Sequence, residues 1–416
     1  MTNLMSSTPS TSLTSTNKVG ITLAVIQLFF TLTWTVYVIF LPQLAAQVGL
    51  AKGMVLVILM MDQLIFLVAD TAMGVFADKS ARVFGKLGRW VVMLTLASCA
   101  AFLLLPWVAS TGPQAQWLFL ALTVVWSVTS SALRAPPLVL LGQYASLASI
   151  PRLASVSLIG LGIAGALAPY LTVTLRGLDP RWPFALSSLA LALATFGILW
   201  AERALKSSAA APVVQSSADL ASKPPMLPFL VAMVLLGLGF QMHSALNSAP
   251  QYLRFAKPAE LEFLLPVFWI GFSLLMLANS RLTARYGSLL LMGMAGCVGA
   301  LATGAVTLAG TLELMLVAQF VAGGAWGVLM MSAFISALVI GRTGREGLVT
   351  GAMFSLLALA ALARMVLVAS QLNKDVLFVP LLPWLPSATW AVAALLLLVT
   401  AWQLRNARAV ASGTVV

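Results

Sequence analysis

Asp62 and Asp70 stand in an apolar run that opens at Met61, and the same stretch closes at Trp90 in a short loop carrying Asp78, Lys79, Arg82, Lys86 and Arg89. A charged side chain inside hydrocarbon costs roughly 2.5–3.5 kcal/mol even on the lenient insertion scales, so such a group needs a partner or water and marks a functional site by default. Arg134, His243 and Arg364 also lie inside apolar runs. The chemistry open to this set is ion pairing, anion binding and proton transfer. A single histidine, two separated cysteines and no metal-ligand spacing leave nucleophilic and metal catalysis without parts, so the reading is not an enzyme, and no cofactor or metal ion is expected.

Composition dictates the elements that must position these groups. Of 416 residues, 61% are hydrophobic and 8% are charged, with a mean hydropathy of +1.02; a soluble globular chain has about 25% charged residues. Runs of 18 or more apolar residues, each able to cross about 30 Å of hydrocarbon, recur near 19–41, 53–76, 90–110, 116–141, 153–175, 182–201, 227–250, 262–281, 287–309, 312–340, 347–370 and 380–403. The implied fold class is an all-α membrane protein with twelve transmembrane helices in two pseudo-symmetric six-helix bundles. The polar, Ala/Ser/Pro-rich stretch 202–226 reads as a cytoplasmic linker between bundles at 19–201 and 227–403, with a disordered cytoplasmic leader at 1–18 and a cytoplasmic tail at 404–416. A weak internal repeat agrees, because each half carries a basic loop after its second helix and then a Gly/Ala-rich span with one cysteine, Cys99 or Cys297. Both thiols read as buried structural groups.

The net charge of +12 does not indicate nucleic acid, because the basic residues sit in short loops between apolar runs rather than on a soluble face. They report topology instead. With the N-terminus inside, inner loops and tails hold fifteen Lys and Arg, outer loops hold six, and Arg134 and Arg364 within spans complete the 23. That asymmetry places both termini in the cytoplasm of a bacterial-type inner membrane.

Depth follows from a rise of about 1.5 Å per helical residue. Asp70 lies 17 residues from the outer start of the second span and Arg134 lies 18 from the outer start of the fourth, so both fall in the inner third and are able to pair. Such a bridge is either a fixed strut or part of a coupling device. Asp62, 9 residues into the second span, and Arg364, 17 into the eleventh, fall between midplane and outer surface, where a bridge between them would close the outer mouth. Arg364 alternatively snorkels to the outer headgroups. His243 shares a face with Asn247 and has Gln241 nearby, a polar stripe that reads as either cavity lining with a proton relay or hydrogen-bonded packing. Gln63 extends the Asp70 face of the second span. Trp34 and Tyr37, with Phe29, Phe30 and Phe40, form an aromatic run on the first span that serves packing or a path for an aromatic or amphipathic solute.

Gly74, Asp78 and Lys79, in the order G-x-x-x-D-K at the inner end of the second span, resemble the loop motif of the major facilitator superfamily. The longer string from Gly74 through Arg82, Gly85 and Arg89 to Trp90, with R-T-G-R-E-G from Arg342 to Gly347, is similar to the glycoside-pentoside-hexuronide:cation symporter branch. The resemblance implies that Asp78 contacts the inner end of the eleventh span near Arg345 and Glu346 as a gate. It also implies a cation site of two acids one turn apart on the second helix and one on the fourth. This chain keeps Asp70 but has Phe66 and Arg134 at the other two positions, and Ala358 where a basic residue of the eleventh helix would fall. The glycine-proline signature of antiporters is blurred at Gly160 to Pro169.

These features together imply a secondary active transporter that moves a small organic solute, anionic or zwitterionic in view of two intramembrane arginines, by alternating access. Proton-coupled uptake by a monomer is the expectation, since Arg134 spoils a sodium site while Asp62, Asp70 and His243 remain titratable. A drug or metabolite exporter and a non-transporting assembly factor on the same scaffold are the alternatives.

Overall fold

The apolar runs form helices in the computed structural model, which describes residues 10–84, 87–145, 149–208, 225–342 and 344–411. Twelve helices are long and apolar enough to cross a membrane: α1 (Asn17–Gln47), α2 (Lys52–Ala81), α3 (Leu87–Ala109), α4 (Pro113–Tyr144), α5 (Ile150–Thr174), α6 (Arg181–Ser207), α7 (Met226–Tyr252), α8 (Pro258–Thr283), α9 (Ser288–Leu308), α10 (Leu312–Gly341), α11 (Glu346–Ala369) and α12 (Leu382–Ala407). Helix is the required solution here, because it satisfies every backbone N–H and C=O within its own segment where no water is present to do so. The first helix begins at Ser10, inside the segment read as a disordered leader, and the sixth continues to Ser208, past the expected start of the linker. Most of the linker lies outside the described residues, as do Gly85, Lys86 and the side chain of Arg82.

Large apolar side chains cover the outside of the bundle. Trp117, Trp182, Leu186, Leu227 and Leu301 are 71% to 79% exposed, a surface that only a bilayer would solvate. Cys99 is buried, whereas Cys297 is exposed on this surface, which corrects the reading of both thiols as buried groups.

With an even number of spans among the described residues, the start of α1 and the end of α12 lie on one side of the bundle, called the tail face below; the opposite side is the far face. The first six spans meet the last six along two seams, α2 against α11 and α5 against α8, while α10 is enclosed by α8, α9 and α11. Near the tail face the α2–α11 seam depends on glycine. A Cβ on Gly74 would run into the Gly347 carbonyl oxygen, and one on Gly347 into that of Gly74, so the two backbones approach as only glycines permit.

Two helices depart from regular geometry. α4 is α-helical over Gln116–Ser130, tightens to 3-10 over Ser131–Leu133 and resumes at Pro136–Tyr144. The cause is Pro136-Pro137: proline brings no N–H to the helical ladder and disfavours helical backbone in the residue before it. Arg134 sits in this break. In α7 a π-helical turn spans Met242–Asn247 and carries His243, an irregularity that frequently accompanies function.

The glycine contact makes a specific prediction. Gly347→Ala should lower the thermal unfolding midpoint in detergent by an amount equivalent to about 1–3 kcal/mol, as for overpacking of a tight contact. Gly53→Ala, where an added Cβ meets nothing within 4 Å, should leave it unchanged. Equal midpoints for the two variants would show that the seam is not closely packed.

Candidate functional site

A cavity of about 360 Å³ lies at mid-depth between the first six and last six spans. On one side it is lined by Gln27, Phe30 and Trp34 of α1, Gln63 and Phe66 of α2, and Arg134 of α4. On the other stand Phe240 and Gln241 of α7, Trp269 of α8, Trp326 of α10, and Phe354 and Arg364 of α11. The lining is therefore aromatic walls with a few amides and two guanidiniums, the mixture typical of small-molecule pockets.

The guanidiniums differ in their surroundings. Arg134 Nη1 lies 2.8 Å from Asp70 Oδ2, forming the ion pair that equal depth in the two helices allows. The Asp70 side chain is fully buried behind it, while that of Arg134 is 19% exposed to the cavity. The guanidinium also stacks between two rings, 4.6 Å from the centre of Phe66 and 5.4 Å from that of Phe354 across the interface. The contact is close but off the N–H axis, so it is an electrostatic pair rather than an aligned hydrogen bond. Arg364 has an amide partner instead: its Nε donates to Gln241 Oε1 at 3.0 Å. Among the described residues no carboxylate forms an ion pair with Arg364.

The expected bridge between Asp62 and Arg364 is not formed in this structure. The Asp62 carboxylate points into the first-half spans, where Tyr37 Oη donates to Oδ2 at 2.8 Å and Ser127 Oγ donates to Oδ1 at 2.6 Å. Asp62 and Tyr37 are both fully buried behind Trp34, outside the cavity lining. His243 is also interior to its own half rather than on a cavity face. Its Nε2 lies 2.9 Å from Gln319 Oε1, so the ring donates there, and Gln319 Nε2 in turn donates to Ser248 Oγ at 3.3 Å. Asn247 donates to the Leu382 carbonyl at 2.8 Å, a tie between α7 and α12. Of the stripe expected on α7, only Gln241 reaches the cavity.

Toward the tail face, Asp78 is 3% exposed and caps α11 from a different helix. The Gly347 N–H donates to Oδ1 at 2.7 Å and the Leu348 N–H to Oδ2 at 2.9 Å. α11 has no side-chain cap of its own at Arg345, so the α2 carboxylate satisfies orphan donors and faces the positive end of the helix dipole. The partners are thus backbone N–H groups just beyond Arg345 and Glu346. Glu346 is buried beside Gly142 of α4, whereas Lys79, Arg89 and Arg345 are exposed. Two turns of α2 closer to the cavity, Thr71 Oγ1 and Ser355 Oγ lie 2.8 Å apart across the same seam.

Sequence reading missed Ser127, Gln319 and the second-half aromatics Phe240, Trp269 and Trp326. The signal for the last three was an aromatic at a mid-span position of α7, α8 and α10, which apolar composition conceals.

Solved structures share the fold over almost the whole chain. The human organic anion transporter MFSD10 (TETRAN) matches with a TM-score of 0.66 at 14% identity, covering 95% of this chain and 100% of that one. A bacterial homologue of the iron transporter ferroportin, in an outward-facing state, matches at 0.66 and 14% identity over 92% and 99%. The proton:xylose symporter XylE, bound to 6-bromo-6-deoxy-D-glucose, matches at 0.66 and 11% identity over 93% and 95%. No curated protein sequence matches. The Major Facilitator Superfamily model covers residues 23–365, and with twelve spans arranged in the fold of its neighbours the chain is a member of that superfamily of membrane transporters.

Proposed function

We propose that the protein is a proton-coupled importer of a small organic anion or zwitterion, acting as a monomer by alternating access in a bacterial-type inner membrane. The observation that supports this most directly is the charge balance of the cavity. Asp70 neutralises Arg134, while among the described residues Arg364 has an amide partner and no carboxylate, so the described walls carry one uncompensated positive charge. An anion matches that charge, and a neutral solute would leave it desolvated and unpaired.

The ion pair supplies a coupling device. A proton on Asp70 removes its hold on Arg134 and offers a second guanidinium to the solute; loss of both restores the pair. Proton and anion then travel together, which is symport. Asp62, held by two hydroxyls and no cation, is a second place for a proton. His243 serves packing in this reading, as a hydrogen-bonded ring inside its own half. The Asp78 clamp on α11 is the gate on the tail face, which the excess of inner Lys and Arg assigns to the cytoplasm. Release of the clamp lets the two six-span halves, joined through 202–226, rock against each other. The loops Gly74 to Trp90 and Arg342 to Gly347 support a place near the glycoside-pentoside-hexuronide:cation symporter branch. Phe66 and Arg134 in place of its acids favour protons over sodium. The human neighbour's description as an organic anion transporter and XylE's as a proton symporter fit the same picture.

Reconstituted protein should accumulate a carboxylate solute when the outside is acid, and a protonophore should abolish the accumulation. Asp70→Asn should retain solute counterflow but lose proton-driven accumulation. Expulsion of preloaded carboxylate by the same gradient would make the protein an exporter and overturn the reading.

The pair also predicts a stability pattern. Arg134→Gln strands a fully buried carboxylate, a loss of about 3–5 kcal/mol for a broken buried pair, and should lower the unfolding midpoint strongly. Asp70→Asn should lower it less, because the Arg134 side chain is 19% exposed to the cavity. The double variant should recover most of the Arg134→Gln loss; additive losses would show that the two residues do not interact.

A further inference from the structure

We infer that the transported anion is a flat aromatic monocarboxylate, its ring held between the aromatic walls and its carboxylate on the terminal nitrogens of Arg364. This rests on the anion-transport reading above and names the class of solute. The two walls are built alike. In the first half Trp34 of α1 stacks on Trp126 of α4, with ring centres 5.7 Å apart and planes at 15°. In the second half Phe240 of α7 stacks on Trp326 of α10, at 4.4 Å and 5°. These are the first and fourth spans of each half, so corresponding helices present a supported ring to the cavity from both sides. Trp326 is backed in turn by Trp390, at 5.7 Å and 15°.

Such rings are fixed by what lies behind them. A solute ring then meets surfaces that lose little freedom on binding, and offset or edge contacts with it add to simple burial. Size agrees: an apolar cavity of about 150 Å³ holds benzene, so about 360 Å³ admits a one- or two-ring body with its acid group. Polarity agrees as well. Gln241 occupies the Nε of Arg364, and among the described residues nothing accepts from its terminal nitrogens. That edge of the guanidinium is the fork that receives a carboxylate through two parallel hydrogen bonds. The other cation, Arg134, is held by Asp70 and by rings on two sides, which leaves Arg364 as the primary anchor.

The test is calorimetric titration of the detergent-solubilised full chain with 2-naphthoate, its fully saturated analogue and 2-naphthamide. The naphthoate should bind tightest. The saturated acid should be weaker by about 3- to 10-fold, the worth of one aromatic pair, and the amide by about 30-fold or more, as for a desolvated charge pair cut on one side. Arg364→Gln should abolish the preference for acid over amide, and Arg364→Lys should keep part of it. Equal binding of the aromatic and saturated acids overturns the aromatic assignment, and an acid preference that survives in Arg364→Gln overturns the anchor. If aliphatic carboxylates accumulate with protons while none of these three ligands binds, the inference fails and anion symport stands; if no carboxylate is bound or moved, both fail.

Discussion

A charge in hydrocarbon is too expensive to stand alone, and four ionisable groups of the described spans meet that constraint in different ways. Asp70 is answered by a cation, Asp62 by two hydroxyls, Asp78 by the N-terminal N–H groups of another helix, and Arg364 by an amide. The partners differ in what they allow. Hydroxyls and an amide leave the net charge in place, an ion pair cancels it, and a helix N-terminus ties it to the position of that helix. The charge pattern of the cavity and the closure of the tail face are therefore parts of one problem, which is where each carboxylate finds compensation.

The Asp70 site joins these parts. It lies on the α2–α11 seam, with Thr71 bonded to Ser355 next to it and the Asp70 carbonyl so close to Gly351 that no Cβ would fit. Two turns further along α2, Asp78 holds the start of α11. The partner of Asp70, Arg134, stands where Pro136-Pro137 breaks α4, with its guanidinium over a ring of each half, Phe66 and Phe354. Asp70 thus touches a cavity-lining guanidinium on one side and the tightly packed α2–α11 seam on the other. Tight packing favours discrete arrangements over continuous deformation, which suits a two-state transporter.

The span count and the Asp70–Arg134 contact were legible because length and depth are one-dimensional properties of the chain. Direction around a helix was not. Asp62 and Arg364 were matched by height, yet Asp62 turns toward Tyr37 and Ser127 inside its own half, while Arg364 turns to Gln241. His243 was left between two readings for the same reason: spacing put it on one face with Asn247, and only the π-turn at Met242–Asn247 and the hydrogen bond to Gln319 show it packed inside the second half. The Asp78 contact was anticipated through the resemblance of the G-x-x-x-D-K string to the superfamily's loop motif, and its partners Gly347 and Leu348 directly follow the expected Arg345 and Glu346. Cys297 faces outward because a Gly/Ala-rich span in lipid has no need to bury every apolar group.

The account turns on Asp70 carrying the coupling proton. Infrared difference spectroscopy, recorded as an isotope-labelled aromatic carboxylate is added to the wild type and to Asp70→Asn, observes that proton directly. The account predicts a protonated-carboxyl stretch of the protein that appears with the solute in the wild type and is missing in Asp70→Asn. A band that persists in Asp70→Asn, or its absence from wild type that binds the solute, would contradict it.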